Sequence, residues 1–67
     1  MGQLDLLRLL FPAGDRVEIA PHLDRHVRGD RFGVVEKVGR FYLHVRMDHS
    51  GDLFPVVPEN VRKVEVA

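Results

Sequence analysis

Cysteine and tryptophan are both absent from this chain of 67 residues, and there is a single tyrosine. Without cysteine there are no disulfides, no thiolate metal ligands and no thiol nucleophile, which excludes the stapled scaffolds on which many short chains rely. A folded chain of this size buries only about 60% of the surface its unfolded form exposes. Its stability must then come from an efficient apolar core or from oligomerisation. Net charge is missing too, because ten Lys and Arg balance ten Asp and Glu. No apolar run approaches the ~20 residues needed to span a membrane. The Leu-rich opening from Leu4 to Phe11 lacks the basic flank and small-residue cleavage site of a signal peptide. What is present is the balance of a folded domain, 45% apolar and 30% charged. One cytoplasmic domain with no membrane partner is the expectation.

Residues 3–11 are good helix formers that stop at Pro12 and Gly14. Leu4, Leu7 and Phe11 share one helical face, extended by Leu6 and Leu10. So short a helix does not persist alone in water. It must lie on something apolar, either as a lid over one end of the domain or as a dimer contact through Leu6, Leu7 and Leu10. Residues 1–13 are therefore read as an N-terminal helix and its connection, and 14–67 as the body of the fold.

After Gly14 the period changes to two. Val17 and Ile19 alternate with Arg16 and Glu18, the pattern of a half-buried strand that Pro21 ends. A polar loop is expected from His22 to Asp30. A second strand follows, with Phe32, Val34 and Val38 on one face and Gly33, Val35 and Lys37 on the other. Gly39-Arg40 has the composition of a two-residue type II′ hairpin turn. In the third strand Phe41, Leu43, Val45 and Met47 face the core, while Tyr42, His44, Arg46 and Asp48 face outward. Asp48-His49-Ser50-Gly51 is a turn, and a fourth strand runs from about Asp52 to Val57. Pro55 within it predicts an edge position. Pro58-Glu59-Asn60 should form one tight helical turn, and Val64 and Val66 a short last strand.

This order resembles a five-stranded Src-homology-3-like barrel, mainly β with a short N-terminal helix, and is similar to the KOW-type small barrels. The matching stretches are Gly14-Asp15-Arg16-Val17, Gly33-Val34-Val35, and Val56-Val57-Pro58-Glu59-Asn60-Val61. The same stretches resemble small uncharacterised proteins of bacteriophage and bacterial genomes. The resemblance covers roughly residues 14–66, and it rests on turn and core positions, which specify fold far better than function.

Several arrangements have the residue types of chemical sites. His22 and His26 flank Asp24 at a spacing that could place two imidazoles on one metal, but no supporting shell is evident, so an exposed His pair and no metal is the reading. Asp48, His49 and Ser50 are neighbours in sequence, which does not make a triad, since nucleophile, base and acid need convergent geometry. Asp15, Glu18, Asp24 and Asp30 read as solvated, not as paired acid–base carboxylates. Type II dihydrofolate reductase builds a catalytic pore from barrels of the class resembled here. Its Val-Gln-Ile-Tyr stretch would fall near Leu53-Phe54-Pro55-Val56, where both Gln and Tyr are missing. The chain is expected not to be an enzyme and to need no cofactor.

Charge is the remaining clue. From Arg25 to Arg46 there are six basic residues against two acids, while the rest of the chain has four basic residues against eight acids. A neutral total thus hides a basic middle. Arg25, Arg28, Arg31, Lys37, Arg40 and Arg46, with Tyr42 and His44, form a candidate nucleic-acid surface, supplying cations for phosphates and a ring for stacking. An alternating polar face with Arg and Lys is equally the ordinary solvated side of a sheet. The expectation is a binding module for DNA or RNA that uses this basic surface. The alternative is a protein-interaction or self-assembly module that uses the helix and long first loop, with an acidic protein or a second copy as partner.

Overall fold

Alternating apolar and polar residues build five strands: β1 (Arg16–Ile19), β2 (Phe32–Val38), β3 (Leu43–Met47), β4 (Leu53–Val56) and β5 (Val61–Lys63). The computed structural model describes Leu7 and residues 9–64. All described strand pairs are antiparallel and belong to one sheet, ordered β4-β3-β2-β1-β5. The sheet does not close on itself among the described residues: β4 and β5 are its two edges. Pro55, which has no N–H to offer a ladder, lies in the edge strand β4 as its chemistry requires. The Pro58–Asn60 turn is a 3-10 helix leading directly into β5.

Every strand contributes to one apolar core. Val17, Ile19, Val35, Leu43, Val45, Met47, Val56 and Val61 form a single buried cluster, with Phe11, Leu23, Val38 and Phe54 packed against it. The alternation in β1 and β3 puts Val17, Ile19, Leu43 and Val45 fully out of solvent. A chain without disulfides depends on that burial, at about 25 cal/mol for each Å² of apolar surface removed from water.

The structure corrects the expected pattern in several places. In β2 the core side is Gly33 and Val35, while Phe32 and Val34 face outward. A bulge explains why Val38 nevertheless packs on the core. Val35 pairs with Val45 and Lys37 with His44, so β2 spends two residues where β3 spends one. That extra residue reverses the parity of everything after it. Gly33 suits the core side because β3 comes very close: a Cβ there would lie 2.5 Å from the Arg46 carbonyl oxygen and 2.6 Å from Val45 Cγ1.

The β2–β3 connection is longer than a two-residue Gly39-Arg40 turn. The Gly39 N–H donates to the Tyr42 carbonyl at 2.8 Å, which puts Arg40 and Phe41 at the tip. Positive φ, which a type II′ turn needs at its first central residue, occurs among the described residues only at Gly14, Gly29 and Gly51. Phe41 therefore precedes β3 and is 60% exposed instead of facing the core.

The polar stretch after Pro21 holds a one-turn helix, α1 (Asp24–Val27). Asp24 in its first turn and Arg25 and His26 in its last complement the helix dipole. The final strand is Val61–Lys63 and ends before Val64, and Val66 lies outside the described residues. At the other end Leu7, Leu9 and Leu10 are helical, and the Phe11 N–H donates to the Leu7 carbonyl at 2.8 Å. Leu7 and Phe11 turn inward, whereas Leu10 is exposed. Leu4 and Leu6 lie outside the described residues. No helix of the described residues is long and apolar enough to cross a membrane.

Candidate nucleic-acid interface

The six cations of the basic middle divide into two groups. Arg25, Arg28 and Arg46 are each held by carboxylates. Arg25 Nη1 lies 3.0 Å from Asp30 Oδ2 and 2.9 Å from Asp52 Oδ2, and its guanidinium stacks 5.3 Å from the Phe54 ring centre. Arg28 pairs with Asp24 at 2.9 Å, one helical turn away. Arg46 grips Glu36 through two bonds, at 3.0 Å from Nε and 2.8 Å from Nη2, and its Nη1 donates to the Gly51 carbonyl. These bonds and charges hold the Arg46 guanidinium above its usual pKa and the Glu36 carboxyl below its own. Arg31, Lys37 and Arg40 make no ion pair among the described residues.

Within the first group, Arg25 does structural work through Asp30. Asp30, expected to be solvated, is 3% exposed. It accepts from the Ser50 hydroxyl at 2.8 Å, the Ser50 N–H at 3.0 Å and Arg25. Burial pushes the Asp30 carboxyl up, but the Ser50 hydroxyl, Arg25 and the Ser50 N–H together outweigh it and hold the group below its ordinary value. This clasp fastens the α1 loop to the β3–β4 turn. The Ser50 hydroxyl thereby donates to the Asp30 carboxylate and not to an imidazole, and no hydrogen bond joins it to His49 among the described residues. Glu18 is also shielded, bound to Arg62 at 2.6 Å, with His26 Nε2 3.9 Å away. His22 is exposed, and no three His, Asp or Glu side chains come together as a metal site among the described residues.

The outward face of the sheet is accordingly zoned. At its centre Val34 is flanked by Arg16 of β1 and Arg46 of β3. Arg16 is tied to Asp48 at 2.6 Å and Arg46 to Glu36, so this zone is charge-neutral. Arg31 precedes β2 at the far end of the strand. It is separated from Lys37 by six residues, or about 20 Å of extended chain.

The hairpin end differs. Lys37 and His44 are directly opposed across β2 and β3, so their side chains share the outward face, where Pro55 of β4 is the next neighbour of His44. Arg40 is exposed at the tip, with its guanidinium carbon 5.9 Å from the Phe41 ring centre. The His44 ring folds back toward the tip: a Cβ on Gly39 would stand 3.4 Å from its Nε2. Phe41 is 60% and Tyr42 49% exposed. From Lys37 to Met47 the chain contains no Asp or Glu, and the one carboxylate just before it, Glu36, is occupied by Arg46.

Of the eight residues singled out in the sequence, four belong to this hairpin end, Lys37, Arg40, Tyr42 and His44, and of these Lys37 and His44 are directly paired. Arg25, Arg28 and Arg31 lie elsewhere, and Arg46 is on the same face but neutralised. Alternation alone places Phe41 in the core. The signal for its exposure is its place beside Gly39 and Arg40 at a turn, where strand parity has no force. Comparison with known proteins returned no matching family model, no matching curated protein and no matching solved structure.

Proposed function

We propose that this chain is a non-catalytic, cytoplasmic binding module whose ligand is nucleic acid, DNA or RNA, held at the β2–β3 hairpin. One observation carries the reading: three cationic or protonatable side chains, Lys37, Arg40 and His44, stand with two exposed aromatic rings in a stretch that has no carboxylate. Phosphates are drawn by free cations far more than by cations already bound to Asp or Glu. The ion-paired arginines Arg25, Arg28 and Arg46 then belong to the scaffold. The fold proposed for this module is a small Src-homology-3-like barrel. The strand order and the 3-10 turn between β4 and β5 support it. A gel shift with a mixed oligonucleotide at two salt concentrations tests the reading. Retardation at low salt that weakens at high salt is expected, and no retardation at low salt removes it.

A second reading has its own observation. Leu9 is 77%, Leu10 47% and Val27 74% exposed, an apolar supply on the N-terminal helical turn and on α1 that suits a protein partner or a second copy. Leu7 is buried within the chain and is not offered to a partner. Sedimentation across a wide concentration range tests self-association, for which a strict monomer is the contrary result.

A further inference from the structure

We infer that the hairpin takes an unpaired strand and discriminates against duplex, an inference that rests on the nucleic-acid reading above and narrows it. The size of the zone favours a single strand. The acid-free zone is bounded by Lys37 and His44 on the strands and by Arg40 at the tip, so it is one hairpin end across. A duplex presents phosphates on two strands, and its contacts must spread along the face. Any such spread meets the Glu36–Arg46 and Arg16–Asp48 pairs, which offer carboxylates as readily as cations. Arg31, the next cation without an ion pair among the described residues, stands at the other end of β2. A few nucleotides of single strand fit the zone without crossing the neutral centre.

The chemistry of the rings points the same way. Phe41 and Tyr42 are consecutive and exposed, and the Arg40 guanidinium carbon lies 5.9 Å from the Phe41 ring centre. An exposed ring gains most from an unstacked base, whose π-face is free, and every base has one. In a duplex those faces are already covered by neighbouring base pairs. Lys37 and Arg40 would hold the backbone while a ring stacks a base, which gives binding with little sequence preference.

The chain supplies its own probe. Tyr42 is the only tyrosine and there is no tryptophan, so intrinsic emission reports this one ring. The experiment titrates the full chain with a short oligothymidylate and, separately, with a long blunt duplex of mixed sequence, following Tyr42 emission and the anisotropy of labelled nucleic acid. The expected result is tight binding of the oligothymidylate with loss of Tyr42 emission, and weaker binding of the duplex without that loss. Phe41→Ala should weaken the single strand by about tenfold with an unchanged salt dependence. Because Phe41 lies outside the core at the hairpin tip, this variant should keep the circular dichroism of the parent. Duplex bound as tightly as single strand, or single strand bound with undisturbed Tyr42 emission, overturns the inference while leaving the nucleic-acid reading in place. Binding of neither overturns both.

Discussion

Asp30 shows how a single buried charge is made tolerable. A carboxylate out of water is costly unless its oxygens are fully bonded. Here the hydroxyl and N–H of Ser50 and the guanidinium of Arg25 supply the bonds. Because the folded group titrates below its ordinary value, near 3.9 in an unfolded chain, it stabilises the fold above about pH 4. That contribution fades as pH falls through the lower folded value. Asp30→Asn should therefore lower Tm by about 10 °C near neutrality and flatten the acid limb of the stability profile, which thermal melts across a pH series would measure. Gly33 carries a purely steric prediction. Gly33→Ala forces a methyl against the Arg46 carbonyl and Val45. It should cost about 1–3 kcal/mol in urea denaturation. Neither residue could be read from its neighbours in sequence. Asp30 meets Ser50 from 20 positions away, and Gly33 is set by how closely β3 passes.

Among the elements, β1 and β3 were the most legible, because period-two alternation over Val17 and Ile19, and over Leu43, Val45 and Met47, has one buried-face solution. β2 was not, since a bulge inserts a residue that no local pattern announces, and parity on either side of it must be known from the partner strand. The same limit applies to the hairpin tip. Alternation continued through Phe41 in the sequence, but the strand did not. Pro55 at an edge and the Pro58–Asn60 turn were legible because proline acts through its own ring and missing N–H. For function, the hairpin is the element that matters. Lys37→Glu with Arg40→Glu should abolish most nucleic-acid binding. The equivalent Arg28→Glu on α1, where Asp24 already cancels the charge, should change it little. Losing two phosphate contacts should also lower the salt slope by about 1.4 on single strands, read from anisotropy titrations at several salt concentrations.

At the scale of the whole molecule, a neutral chain has sorted its charges instead of spreading them. Ion pairs fasten the α1 loop and neutralise the centre of the outward face, leaving a hairpin end whose own residues, from Lys37 to His44, include cations and no Asp or Glu. Composition could reveal that the middle of the chain is basic, but not which arginines are taken. Pairing is a long-range property, with Arg25 reaching Asp52 across 27 positions and Arg16 reaching Asp48 across 32. The most direct test is a residue-resolved NMR titration of the labelled chain with an oligonucleotide at low salt. The expected result is amide shifts concentrated from Lys37 to His44, with α1 and β5 undisturbed. Shifts centred on Leu9, Leu10 and Val27, or no shifts at any concentration, would contradict it.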